Sequence, residues 1–125
     1  MSATILHVED NPSNRMIIRD LMHSRGYRVV EVVDGEEALA AAARESPDII
    51  LMDIQLPRIS GLEAARRIKA REELRHIPIV ALTSFALSGD DKKAFAAGCD
   101  GYLAKPYKPR ELLKMVQELL ARGRR

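Results

Sequence analysis

DIILMDIQLPRISGLE, residues Asp48 to Glu63, decides how the rest of the chain is read. Ile49, Ile50, Leu51 and Met52 form an unbroken apolar run with no polar alternation. Such a run predicts a strand buried on both faces, the kind found in the middle of a parallel sheet. Asp53 follows at once, where that strand ends and the chain turns back to the surface. Pro57 and Gly61 punctuate a loop, and Ser60 with Glu63 three residues on has the form of a capping box that starts a helix. One carboxylate is thus placed at the mouth of a buried strand, facing a loop. In open α/β sheets that edge is where ligands bind.

The same alternation extends in both directions. Thr4 to Val8 predicts a short strand ending in Glu9-Asp10, with Asn11 as a helix cap and Pro12 at the first helical position. Met16, Ile17, Leu21 and Met22 give that helix one apolar face, and Gly26 stops it. Arg28 to Val33 predicts a second strand. Asp34-Gly35 then turns into an alanine-rich helix through about Glu45, and Pro47 blocks its continuation. Beyond the central stretch, Leu62, Ala65 and Ile68 mark the inner face of a third helix, with Arg66, Arg67 and Lys69 outside. Ile77 to Leu82 predicts a fourth strand, closed by Thr83-Ser84. Ser88 caps a fourth helix carrying Ala94, Phe95 and Ala97, and Gly98 ends it. Gly101 to Ala104 is a short fifth strand before Lys105-Pro106. Pro109 opens a last helix with Leu112, Leu113, Val116, Leu119 and Leu120 at helical spacing. Strands alternating with helices five times through short connections predict a parallel sheet with helices on both faces, a three-layer α/β fold.

The 125 residues suit one domain, with a core over about residues 3–122 and a basic tail over 122–125. Hydrophobic content of 46% and charged content of 30% describe a soluble globular chain. A net charge of +2 from scattered basic residues is too small to imply a nucleic-acid partner. No apolar run approaches membrane-spanning length, and the start MSATILHVED lacks the pattern of a signal peptide. Cys99 is alone, which excludes an intrachain disulfide and fits a reducing, cytoplasmic setting. The chain ends after the fifth helix, so no output domain is expected.

In a parallel sheet all strand C-termini share one edge. Glu9 and Asp10 stand there after the first strand, Asp53 after the third, Thr83 after the fourth and Lys105 after the fifth. The second strand offers no functional group, which suggests a place at the margin of the sheet. Three carboxylates converging on one crevice repel one another. At ~5 Å and an effective dielectric of ~20, each pair costs about 3 kcal/mol. Either their pKa values rise or a cation joins them. Lys105 supplies one positive charge, and a hard, oxygen-liking ion such as Mg2+ balances the rest while leaving room for a phosphate oxygen. A metal, a lysine and a hydroxyl around one carboxylate are the parts needed to receive a phosphoryl group.

Glu9-Asp10-Asn11, Leu51 to Pro57, Gly61, Ala81 to Ser84 and Lys105-Pro106 resemble, in order and element, the receiver domain of two-component response regulators. The likeness covers essentially the whole chain. Within the family, MDIQLPRISGLEAARRIK and HIPIVALTSFALSGD are most similar to stand-alone, DivK-type regulators of bacterial cell-cycle and polarity signalling, and receivers within hybrid kinases read similarly.

The resemblance implies a flavodoxin-like, doubly wound (βα)5 fold with strand order 2-1-3-4-5. It implies that Asp53 accepts a phosphoryl group from a sensor histidine kinase or a histidine phosphotransferase. Asp10 and Asp53 would bind Mg2+ directly, Glu9 would help largely through water, and Gln55 would contribute its backbone carbonyl. Thr83 and Lys105 would grip the phosphoryl oxygens. Movement of Thr83, with Tyr102 turning inward, would couple the site to the surface of the fourth helix, fifth strand and fifth helix, where a downstream protein would dock. The Lys105-Pro106 bond is usually cis in the family. Ser84, often alanine in the family, and Ile59, often methionine or aspartate, are departures that bear on the lifetime of the phosphorylated state. A monomer or weak dimer is expected.

Two other functions fit the fold class. A hydrolase working through an aspartyl-phosphate would show a second acid two residues on, and Asp53-Ile54-Gln55 lacks it. A nucleotide- or flavin-binding protein would show a glycine-rich phosphate loop, and neither G-x-x-x-x-G-K-[ST] nor G-x-G-x-x-G occurs. A switch that catalyses only its own phosphorylation and dephosphorylation, and not an enzyme, is the expectation. His7, inside an apolar strand, reads as a packed core residue, and His23 and His76 as surface. Phe85 and Phe95 read as packing or partner surface.

Overall fold

Five parallel strands alternate with five helices in the computed structural model, which describes residues 3–56, 58–83, 89–104 and 107–123. The strands are β1 (Thr4–Val8), β2 (Arg28–Val32), β3 (Ile49–Asp53), β4 (Ile79–Thr83) and β5 (Gly101–Ala104). The helices are α1 (Pro12–His23), α2 (Gly35–Glu45), α3 (Gly61–Ala70), α4 (Asp90–Ala96) and α5 (Pro109–Gly123). The strands lie in the order β2-β1-β3-β4-β5, the expected flavodoxin-like order, with β2 at the margin.

β3 and β4 are buried along their whole length because helices cover both faces of the sheet. On one face Leu6, Val8, Ile50, Met52, Ile79 and Ala81 pack with alanines of α2, α3 and α4. On the other, Ile5, Ile49, Leu51, Val80 and Leu82 meet Ile18 and Met22 of α1 and the leucines and Val116 of α5. Alanines dominate the inner faces of α2, α3 and α4, with Ile68 of α3 beside them, which lets three helices share one side of a five-stranded sheet. The two helices opposite use larger side chains. His7 is fully buried in β1.

Helix starts follow local chemistry. The Asn11 side chain accepts from the Asn14 amide with Pro12 in the first turn, and the Asp34 side chain accepts from the Glu37 amide. At α3 the Ser60 hydroxyl accepts from the Glu63 amide, but the Glu63 carboxylate pairs with Arg66 and Arg67 rather than closing a reciprocal capping box. Gly89, at φ +87, is the residue before α4 and makes no side-chain cap bond. The expected cap Ser88 lies outside the described residues, as do Phe85, Ser84, Pro57 and the end of the tail.

Several expectations are corrected. Met16 and Ile17 do not face the core: they are 52% and 60% exposed, and Ile18 and Met22 are buried instead. The inner stripe of α1 runs through Asn14, Arg15, Ile18, Leu21 and Met22, because its first turn passes over the edge of the sheet rather than over the core. Lys69 is no solvated charge. Its Nζ donates to the carbonyls of Arg75 (3.0 Å) and Ile77 (2.7 Å) and to Asp100 Oδ2 (3.0 Å). β2 ends at Val32, since the Val33 amide turns to Glu37 Oε2 (3.1 Å). β4 begins at Ile79, after Pro78, which has no N–H to give a ladder.

Candidate functional site

The C-terminal ends of β1, β3 and β4 lie side by side, with Val8 opposite Met52 and Asp53 opposite Leu82. Glu9 and Asp10 therefore emerge next to Asp53. One carboxylate oxygen from each of the three lies within 4.8 Å of the others. Glu9 and Asp53 are buried and Asp10 is exposed. At that spacing each ionised pair costs on the order of 3 kcal/mol at an effective dielectric of ~20. Burial, and then the neighbouring Asp53, push the Glu9 carboxyl up from 4.5 to about 7, against the amide of Asn11, which favours the charged form.

Both acids are held by their surroundings. Asp53 Oδ1 accepts from the Gln55 amide at 2.9 Å, and the Ile54 amide donates to the Leu82 carbonyl at 3.0 Å. The loop then returns to α3 by way of Gly61, where a Cβ would be driven into the backbone carbonyl of Asp53. Glu9 Oε2 accepts from the Asn11 amide (3.1 Å) and Oε1 from Asn14 Nδ2 (3.3 Å), while the Glu9 carbonyl accepts from Arg15 Nη1 (3.0 Å).

Thr83, the last residue of β4, is buried one position past the register partner of Asp53. Gln55 is exposed two residues beyond Asp53. Tyr102 is half-buried in β5 opposite Ala81, packed on the α2–α3–α4 side of the sheet. Burial foremost, then Asp90 and Asp91, raise its hydroxyl above the usual range. Phe95 stands 53% exposed on α4. Ile59 packs against Gly35 at the start of α2. Lys105 and Pro106, including the expected cis bond, lie outside the described residues.

Two residues near the site escape the sequence reading. Asn14 holds Glu9. Tyr107 sits close enough that Glu9 and Asp53, after burial, push its hydroxyl up. Its place two residues after Lys105 carries no pattern that could have shown this. Asn14 did leave a signal, since it lies four residues before the buried Ile18 on the inner stripe of α1.

The group, among the described residues, is three close carboxylates, an all-oxygen donor set that suits a hard divalent cation. Among the described residues, no helix is long and apolar enough to cross a membrane. The model of the response regulator receiver domain matches residues 5–117. The polar-differentiation response regulator DivK of Brucella ovis is 42% identical over 120 residues, covering 96% of this chain and 98% of that protein. The receiver domain of the sensor histidine kinase PA1611 from Pseudomonas aeruginosa PAO1, solved with a magnesium ion coordinated in its active site cleft, is 45% identical. It superposes with a TM-score of 0.89 over 97% of this chain and 99% of that one. The chemotaxis response regulator CheY4 of Vibrio cholerae is 31% identical, with a TM-score of 0.87 over 95% and 99% of the two chains. With five strands in receiver order and three carboxylates gathered at their ends, the chain belongs to the response regulator receiver domain family of two-component signalling.

Proposed function

We propose that the chain is a phosphorylation-controlled interaction switch whose phosphoryl acceptor is Asp53. The observation that carries this reading is the placement of Asp53: the last residue of a fully buried strand, with Glu9 and Asp10 oxygens within 4.8 Å. The donor would be the phosphohistidine of a sensor histidine kinase or histidine phosphotransferase. An Asp53 carboxylate oxygen forms the new P–O bond as the P–N bond breaks, and the electron pair returns to the imidazole nitrogen. The bond from the Gln55 amide orients the Asp53 carboxyl and limits its rotation.

Glu9, Asp10 and Asp53, with the backbone carbonyl of Gln55, would hold Mg2+. When bound, the ion supplies positive charge for the phosphoryl oxygens. The all-oxygen donor set and the raised Glu9 carboxyl support this, as does the magnesium in the related kinase receiver. Thr83 would give its hydroxyl to a phosphoryl oxygen and Lys105 its ammonium group. Tyr102, next to the α4 surface that carries Phe95, would relay the change to a protein partner on the α4–β5–α5 face. A protein partner, rather than a nucleic acid or a membrane, is the proposed output.

Intact-protein mass after incubation with acetyl phosphate and Mg2+ tests the reading. One phosphoryl group should be gained, and it should be lost in Asp53→Asn and in a chelated sample. Equal labelling of Asp53→Asn would overturn the assignment of the acceptor.

A further inference from the structure

The inner stripe of α1 changes character along its length. Ile18 and Met22 are buried in the core, and Leu21 packs against it. One turn earlier the stripe is Asn14 and Arg15, both half-buried, although apolar Met16 and Ile17 stand beside them on the exposed side. Polar side chains occupy an inward position because that turn crosses the acidic edge of the sheet. There they meet Glu9: Asn14 Nδ2 donates to Oε1 at 3.3 Å, and Arg15 Nη1 to the backbone carbonyl at 3.0 Å. The second carboxylate oxygen is held at 3.1 Å by the Asn11 amide.

We propose that Asn14 is a positioning residue for the acidic site, fixing the Glu9 carboxylate through the Nδ2 to Oε1 bond so that it stands ready for a divalent cation. This rests on the reading of Glu9, Asp10 and Asp53 as the Mg2+ site. A glutamate has three side-chain torsions to order, and a ligand left free must lose that freedom when the metal arrives. Holding one oxygen from a backbone amide leaves the carboxylate able to swing about that contact. A second donor on the other oxygen stops the swing. Partners that orient metal-holding side chains commonly change affinity by about 10- to 100-fold when removed, and Asn14, which acts through Glu9, belongs at the lower end of that range. The role separates cleanly from helix capping. The Asn14 backbone amide, not its side chain, donates to Asn11 Oδ1, so that cap survives any side-chain replacement.

Calorimetric titration of the full chain with Mg2+ tests the assignment in wild type, Asn14→Leu, Asn14→Gln, Glu9→Ala and the double variant Glu9→Ala/Asn14→Leu. Thermal unfolding in chelator runs beside each titration. Asn14→Leu, close in shape but without a donor, should bind Mg2+ about ten-fold more weakly. Asn14→Gln, which keeps the donor, should recover most of the affinity. Once Glu9→Ala has removed the acceptor, Asn14→Leu should cost nothing further. Unchanged affinity in Asn14→Leu would overturn the proposal. So would an equal loss in the Glu9→Ala background, which would mark a general effect on the helix. Should Asn14→Leu not fold, Asn14→Ala repeats the comparison with a better helix former. A wild type that binds no Mg2+ at millimolar concentration would instead overturn the metal reading, and this inference with it.

Discussion

The α-carbon of Gly61 lies against the backbone carbonyl of Asp53, closer than any side-chain-bearing residue could come. The first residue of α3 is thereby held close against the last residue of β3. The Gly61 amide also donates to the Ile54 carbonyl at 3.3 Å, which ties the same two segments a second time.

Gly61→Ala should therefore act on both stability and chemistry. A methyl group with nowhere to go forces the backbone apart, and overpacking of this kind costs about 1–3 kcal/mol. Because the displaced atom is the carbonyl of Asp53 itself, labelling by acetyl phosphate should also slow. Urea unfolding and the labelling rate together check this. A variant as stable as wild type that labels at the wild-type rate would show that the loop yields freely.

The raised Glu9 carboxyl gives the metal-free protein a pH dependence of definite sign. Its pKa is about 7 in the folded chain against 4.5 as the reference, so between those values the folded state binds more protons than the unfolded one. Stability then falls as pH rises through that window. In chelator, Tm should be higher near pH 5 than near pH 8 on this account, and Glu9→Gln should flatten the slope and raise Tm at pH 8. Mg2+ should recover stability at pH 8 in the wild type, since a cation relieves the repulsion that the proton relieves at low pH. An unaltered slope in Glu9→Gln would assign the pH dependence to other groups.

Most of the fold and the heart of the site are legible in the residues because both rest on short-range pattern. An apolar run such as Ile49 to Met52 has one good explanation, a strand covered on both faces, and the residue at the end of such a strand must stand at the sheet's edge. That argument alone places Asp53, Glu9 and Thr83. The errors arise where a pattern has two solutions. Met16, Ile17, Ile18, Leu21 and Met22 are more apolar residues than one helix face can hold, and only the path of α1 over the acidic edge decides that Met16 and Ile17 stay outside. Lys69 looks like any solvated helix charge, because its acceptors on Arg75, Ile77 and Asp100 are brought to it by the fold and not by spacing. Tyr107 reaches the neighbourhood of Glu9 and Asp53 in the same way.

Lys69 leads to a prediction on the stability side alone. Its ammonium group joins α3, the segment before β4 and the turn before β5, and Asp100 Oδ2 accepts in addition from the Ile79 amide at 2.9 Å. Lys69→Met keeps the alkyl stem and removes three donors at once. Hydrogen bonds to a charged group contribute about 1.5–3 kcal/mol, and the Asp100 carboxylate keeps its bond to Ile79, so a loss of about 2–3 kcal/mol is expected. The cluster sits at the opposite end of the strands from Asp53, so labelling by acetyl phosphate should be unchanged in folded Lys69→Met. A large labelling defect at full foldedness would show that the two ends of the sheet are coupled.

Cys99 lies inside this region, buried next to Asp100, and offers a direct probe of its integrity. Burial foremost, then the Asp100 charge, lift its thiol from 9.0 to about 11, with Lys69 pulling the other way. Thiolate is the reactive form, so at pH 8 the folded protein holds about a hundred-fold less of it than an ordinary exposed cysteine does. Iodoacetamide at pH 8 should leave Cys99 unmodified in the native wild type on the timescale that fully alkylates the protein in urea. Lys69→Met should modify faster than wild type, because opening of the loosened edge admits the reagent even as loss of the cation raises the thiol further. Those two effects oppose each other, and the comparison decides between them. Faster alkylation means that opening controls access, whereas alkylation no faster than in wild type would overturn the prediction and show that the edge stays closed.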